Sequence, residues 1–255
     1  MLTVGLVLAL IGAIIGSFVG AAVLRVPTGR GIVAGRSSCD SCATILGPAE
    51  LVPVLSFLWL RGRCRHCHAL IAIDQPIAEA ACTIVGLMAA YAVGEIMGVV
   101  LLAVFGWTLV ALALLDARHH WLPDKLTLPL LVAGLASAFV VPNPSPLDRI
   151  AGTISGYVLL EGLRYLYRHA RRREGLGGGD PKLLAAIGAW LGVEMLPWVI
   201  MIAGLLGLSL LALQRARGHH LARTDRLPLG TLMAIGAIAV MPFAMNGQEF
   251  VISSM

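Results

Sequence analysis

Long apolar runs separated by short polar turns dominate this chain. Runs of roughly 17 to 25 apolar residues are long enough to cross hydrocarbon as helices, and about eight can be read. They fall near 4–24, 77–94, 97–115, 127–142, 150–167, 182–193, 196–213 and 230–246, the sixth being short and glycine-rich. The only sizeable polar segment, 25–75, marks the one extramembrane module. No internal repeat of fixed period is visible. The pattern predicts an all-α, polytopic membrane helical bundle of about eight transmembrane helices. Its parts are a first transmembrane helix at 1–24, a module at 25–75, and a membrane-embedded domain at 76–255.

Composition strengthens that reading: 58% of residues are hydrophobic, 13% are charged, and mean hydropathy is +0.86. At this length such a chain has no aqueous place to hide its apolar surface, so it is an integral membrane protein. Met1-Leu2-Thr3 offers no basic n-region and the run after it is long, which argues against a cleaved signal peptide.

Basic residues set an orientation, because cytoplasmic loops collect Lys and Arg. Of the 19 Lys and Arg, all but Arg149 lie in or beside the odd-numbered loops: Arg25, Arg30, Arg36, Arg61, Arg63 and Arg65 in the first, Arg118 and Lys125 in the third, Arg164, Arg168, Arg171, Arg172, Arg173 and Lys182 around the fifth, and Arg215, Arg217, Arg223 and Arg226 in the seventh. With those loops inside, both termini lie outside and an even number of spans is required. The net charge of +5 is then the inner rim of a membrane protein, touching anionic headgroups, and needs no nucleic-acid partner. Glycines at four-residue intervals (Gly12, Gly16 and Gly20; Gly152 and Gly156; Gly188 and Gly192) predict close approach of helix backbones within the bundle.

The polar module carries two CxxC pairs, Cys39 with Cys42 and Cys64 with Cys67. Two such knuckles fit one tetrahedral zinc. The alternative is two disulfides, but the charge pattern puts the loop in a reducing compartment, which favours metal. His66 and His68 are substitute ligands only if a cysteine is missing from the shell. Cys82, in the second run, reads as a small buried hydrophobe.

Two aspartates carry the candidate chemistry. Asp116 closes an apolar helix at its C-terminal end, where the macrodipole disfavours an anion and no cap is needed, so the position suits a group that must hold a proton. Asp180 follows Gly177-Gly178-Gly179 and precedes Pro181. That setting reads equally as an N-cap, but a cap needs no glycine string, whereas a sharply bent or closely approached backbone does. Asp124, after Pro123, is expected to cap the fourth span. Carboxylates at a bilayer edge are costly, so a pair of them marks a chemical site. Two that share a site cannot both ionise easily, so one keeps a proton while the other activates a water against a peptide carbonyl. The pattern therefore suggests a protease needing no nucleophilic Ser or Cys.

Taken together these residues resemble the type IV prepilin leader peptidases, membrane aspartyl proteases of the GxGD type. The resemblance rests on Gly16-Ser17-Phe18 with Arg25-Val26-Pro27, the two CxxC pairs, and Pro53-Val54-Leu55-Ser56-Phe57 before Gly62-Arg63-Cys64. It extends through Asp116 with Leu122-Pro123-Asp124 to Gly177-Gly178-Gly179-Asp180-Pro181-Lys182-Leu183. It implies Asp116 and Asp180 as the catalytic pair, supported by the Gly177, Gly178 and Gly179 loop. It also implies a place in the bacterial inner membrane and leader cleavage from prepilins or type II secretion pseudopilins on the cytoplasmic side. Methylation of the new N-terminus from S-adenosylmethionine is implied too. Asp40, Asp74 or Glu79 could attract a basic leader. The chain departs from the family at Gly20-Ala21-Ala22 and at Gln75-Pro76-Ile77-Ala78-Glu79, which bears on methylation; Glu79 persists and also suits a helix N-terminus. Two rival readings are a proton-coupled transporter, which would need polar residues at mid-span beyond Glu161 (itself one turn from Arg164), and a non-catalytic zinc-bearing secretion scaffold.

Overall fold

The computed structural model describes residues 2–25, 37–39, 41–92, 95–172, 175–218 and 227–245. Arg30, Arg36, Asp40, Arg173, Arg223, Arg226 and the Val26-Pro27 part of the first motif lie outside the described residues. Each apolar run of the sequence holds a helix, the fourth ending early at Ala136 before a 3-10 turn, Ser137–Phe139: α1 (Leu2–Arg25), α3 (Asp74–Ala92), α4 (Ile96–His119), α5 (Asp124–Ala136), α6 (Pro146–Arg171), α7 (Asp180–Leu191), α8 (Leu196–Ala216) and α9 (Leu229–Met245). A short helix, α2 (Leu55–Trp59), lies in the polar module. The extended pairing among the described residues is confined to two isolated bridges, Ser38 with Ile45 and Arg63 with Leu70.

By length and composition α1, α4 and α8 are apolar enough to cross a membrane, and α9 is a shorter apolar helix. The other four differ for visible reasons. Asp74, Gln75 and Glu79 occupy the first turns of α3. Helices α5 and α7 have only 13 and 12 residues. Helix α6 is long but carries charge at both ends. At 1.5 Å per residue α7 spans about 18 Å, well short of a bilayer's hydrocarbon.

The chain divides into two compact units, Met1–Ala90 and Tyr91–Met255. In the first, α1 and α3 meet backbone to backbone. A Cβ added to Gly16 would lie 2.5 Å from the Ala78 carbonyl oxygen, and one on Gly86 would collide with the Leu8 carbonyl. The Gln75 amide donates to the Ser17 carbonyl (3.0 Å) and to Glu79 Oε1 (3.0 Å). Glu79 Oε2 accepts the Val54 N–H at 2.7 Å. Val54 has φ +60°, a strained conformation for a β-branched residue that costs about 1–3 kcal/mol and persists only when its surroundings hold it. The buried Glu79 carboxylate is one such hold.

The second unit is organised around α7, which is buried along its length except for the half-buried Lys182 near its start. Its neighbours α5, α6, α8 and α9 wrap it. A Cβ on Gly152 of α6 would sit 2.6 Å from the Gly188 carbonyl, one on Gly188 would collide with the Gly152 carbonyl, and one on Gly156 would sit 2.8 Å from the Leu184 carbonyl. The four-residue glycine pattern thus does within the chain what it predicts. On another face Trp190 stacks on Phe105 with centroids 4.9 Å apart and donates its Nε1–H to the Leu130 carbonyl at 2.8 Å.

Arg149, the one basic residue off the loop pattern, is fully buried near the start of α6. Its guanidinium donates to Ser137 Oγ (2.7 Å) and to the carbonyls of Gly134 (3.2 Å), Ala189 (3.3 Å), Val141 (3.2 Å) and Asn143 (3.1 Å), and its Nε to that of Pro144 (2.9 Å). The last carbonyls of a helix have no partner within it and carry its partial negative charge. Arg149 therefore clips the C-terminal ends of α5 and α7 together. Arg149→Met should strand several buried acceptors and lower stability by at least about 3 kcal/mol. The check is the Trp fluorescence unfolding midpoint in detergent, with wild-type stability as the contrary result.

Candidate active site and metal centre

Asp116 lies one turn before the end of α4, where His120 closes the helix in the left-handed region and donates its N–H to the Asp116 carbonyl at 2.9 Å. The chain then crosses Trp121-Leu122-Pro123 into α5. Leu122 folds inward and is buried. A Cβ on Gly179 would lie 2.6 Å from Leu122 Cβ, and one on Gly230 would lie 2.9 Å from Leu122 Cδ1 and 3.0 Å from Asp116 Oδ2. Leu122 is thus the wedge that the glycine loop and the start of α9 both close upon.

Asp180 is the first residue of α7 rather than its cap; that position belongs to Gly179. The Asp180 carboxylate turns back to accept the Gly177 N–H at 3.0 Å. None of Gly177, Gly178 and Gly179 has a positive φ. What the loop requires is space: Gly179 has none for a side chain against Leu122, Gly177 is tight against Asp180 Oδ2 at 3.1 Å, and Gly178 has ordinary room beside the Arg164 guanidinium. Arg164 in turn pairs with Glu161 at 3.2 Å, as their spacing predicts.

Asp116 and Asp180 are 5% and 6% exposed, and the Leu122 wedge links them, packing on Gly179 just before Asp180 and sharing the Gly230 position with Asp116 Oδ2. The structure therefore brings together the two carboxylates that sequence reasoning paired. It also adds a partner that reasoning missed: Asp116 Oδ2 accepts the Thr231 N–H at 2.7 Å and lies 3.1 Å from the Thr231 hydroxyl. The macrodipole of α4 disfavours an anion at Asp116, and the N-terminal turn of α9 answers it. The signal was in the sequence, since Pro228-Leu229-Gly230-Thr231 opens the last apolar run.

Among the described residues, Asp124, Asp74 and Glu79 do not join this cluster. Asp124 does not cap α5; Pro123 holds that position, and the Asp124 carboxylate pairs with Lys182 Nζ at 2.7 Å, tying the starts of α5 and α7. Asp74 and Glu79 are buried in the first unit, so neither presents an open surface charge to a basic leader.

The polar module builds a second centre. Each CxxC pair sits in the same knuckle: Cys39 N–H bonds to the Thr44 carbonyl and Cys64 N–H to the Ala69 carbonyl, at 3.0 and 2.8 Å. A left-handed residue follows each pair, Ala43 at φ +56° and His68 at φ +57°. The ligand atoms of Cys39, Cys42, Cys64 and Cys67 lie within 4.8 Å of one another, a group able to hold a metal ion. His66 and His68 stay out of that group, and His66 Nε2 stands 3.9 Å from Glu50. The thiols differ in electrostatics. The Thr44 hydroxyl, then its backbone, lowers Cys42 to about 6, and the N–H groups of Cys67 and His66 lower Cys64. Against a lowering bond from Ala69, desolvation and the three other sulfurs push Cys67 up to about 11. Four sulfurs this close keep their full charge only around a cation.

Most of the chain is similar to known proteins. Residues 10–93 match the bacterial Peptidase A24 N-terminal domain and residues 102–212 match the type IV leader peptidase family. A prepilin leader peptidase/N-methyltransferase of Aeromonas hydrophila is 38% identical over 208 residues, 81% of this chain and 71% of that protein. One from Burkholderia pseudomallei (strain K96243) is 41% identical over 212 residues, covering 82% and 67%. A type 4 prepilin-like proteins leader peptide-processing enzyme of Escherichia coli O78:H11 is 34% identical over 205 residues, covering 80% and 74%. No solved structure matches the chain. With its helices, its paired aspartates and its four-cysteine knuckles in that company, the chain belongs to the type IV leader peptidase family.

Proposed function

We propose that this protein is a membrane aspartyl endopeptidase that removes the leader from type IV prepilins or type II secretion pseudopilins at the cytoplasmic face of the bacterial inner membrane. The observation that carries the proposal is the burial of Asp116 and Asp180 on either side of Leu122, from the end of α4 and the start of α7. One carboxylate takes a proton from water as the oxygen attacks the scissile carbonyl, while the protonated partner donates to the carbonyl oxygen. The proton then passes to the departing nitrogen as the C–N bond breaks. The dyad works as a unit. Gly177, Gly178 and Gly179 form the supporting loop, and the absence of a side chain at Gly179 lets Leu122 close behind it.

In this reading the helices are embedded in the membrane, the short α7 held there by its neighbours rather than spanning on its own, with the odd-numbered loops and the 25–75 module in the cytoplasm, both termini outside, and lipid around the apolar exterior. A prepilin's single apolar helix then presents its scissile bond at the inner boundary, the depth at which the basic loops begin. The described buried polar side chains lie towards helix ends rather than at mid-span, which favours a protease over a proton relay. The four-cysteine cluster holds zinc: Zn–S bonds of about 2.3 Å place tetrahedral sulfurs about 3.8 Å apart, and Cys39 and Cys67 are separated by 3.8 Å. That shell is closed, so the ion is structural. N-methyltransferase stands beside peptidase in the relatives' names, and S-adenosylmethionine is the donor such a second activity uses.

In a leader-cleavage assay on purified protein with mass spectrometry of the product, Asp116→Asn and Asp180→Asn should each lower the rate by about a hundred- to ten-thousand-fold. Wild-type cleavage by either variant would defeat the protease reading and leave the scaffold. The same spectra report any methyl group on the new N-terminus. Elemental analysis of the purified protein should give one zinc per chain, lost on Cys39→Ser or Cys64→Ser; protein free of zinc would remove the metal from the account.

A further inference from the structure

The Thr231 hydroxyl has one proton and two partners. Its Oγ1 lies 2.8 Å from the Ala113 carbonyl oxygen and 3.1 Å from Asp116 Oδ2. A carbonyl only accepts, whereas a carboxyl oxygen accepts when ionised and donates when protonated. With Asp116 ionised, the hydroxyl turns its proton to Oδ2. With Asp116 protonated on Oδ2, the carboxyl donates to Oγ1 and the hydroxyl donates to Ala113. No heavy atom moves between the two states. The Thr231 N–H, free to bond outward because it lies in the first turn of α9, reaches Oδ2 at 2.7 Å in both. Gly230 makes this approach possible, since its Cβ would stand 3.0 Å from Oδ2 and 3.1 Å from Cγ of Asp116.

Resting on the dyad proposed above, we infer that Thr231 is a positioning residue for Asp116, holding its carboxylate in one orientation through both the charged and the neutral stage of the reaction. A carboxylate that alternates between accepting and returning a proton needs a neighbour able to satisfy both forms. A backbone N–H alone serves the acceptor role only. Buried in a site of low dielectric, the unmatched form would otherwise be costly.

The test compares Thr231→Val and Thr231→Ser with wild type and with Asp116→Asn in one leader-cleavage assay. Valine keeps the N–H and the shape but removes the hydroxyl, so kcat should fall about ten- to a hundred-fold with KM within about twofold of wild type. Serine keeps the hydroxyl and should retain wild-type kcat. Unchanged kcat in Thr231→Val, a fall in Thr231→Ser as deep as that in Thr231→Val, or a change confined to KM would each overturn the inference. If Thr231→Val does not accumulate in membranes, Thr231→Ala takes its place with the same outcomes. An inactive Asp116→Asn beside a fully active Thr231→Val refutes only the role of Thr231, whereas an active Asp116→Asn refutes the dyad itself.

Discussion

Helix α7 is too short to cross a bilayer and, apart from the half-buried Lys182 near its start, is buried, so it is held by its neighbours or not at all. The interaction on which the site depends is its backbone contact with α6, where Gly152 faces Gly188 and Gly156 faces the Leu184 carbonyl. In lipid the hydrophobic effect does not separate helix from solvent, and close packing of small residues supplies much of the cohesion. That contact fixes the register of α7, and α7 begins at Asp180. A shift of α7 by one turn would carry the carboxylate about 5.4 Å along the axis, farther than a proton can be handed directly. Positioning of the candidate chemistry is thus a consequence of glycines well away from it.

Polar groups are used sparingly and towards the ends of helices, where backbone atoms lack partners. Arg149 gathers the carbonyls at the ends of α5 and α7, and Lys182 pairs with Asp124 at the starts of two helices. In the first unit Glu79 performs the converse task, accepting the Val54 N–H of a strained turn. Asp116 follows the same rule, since its oxygen meets the opening turn of α9. Burying Arg149, Glu79 and Asp116 is tolerable because each lies against complementary backbone groups.

Much of this was legible in the chain. Each apolar run holds a helix among the described residues, the glycine spacing anticipated close backbone approach within the chain, and the cysteine spacing named the four sulfurs that converge. What the sequence could not give was tertiary. Arg149 looked like a stray charge in the loop count because nothing local reveals that it faces the ends of two other helices. Asp124 and Asp180 looked like caps because proline beside a helix start suggests one, yet the cap positions went to Pro123 and Gly179, leaving Asp124 to pair with Lys182 and Asp180 to turn back on the Gly177 N–H. The glycines before Asp180 suggested a bent backbone, whereas Gly179 is needed to make room for Leu122, a contact 57 positions away in the chain. Thr231 escaped notice for the same reason, lying 115 residues from the carboxylate it bonds.

The central claim, that Asp116 and Asp180 meet in one buried site, is tested most directly by cross-linking in native membranes. With thiols introduced by Asp116→Cys and Asp180→Cys, a short bifunctional thiol reagent should join positions 116 and 180, as mapped by mass spectrometry of the digested protein. Either single variant should give no such product. A double variant that remains folded and reacts at both thiols, yet yields only singly attached reagent, would contradict the account.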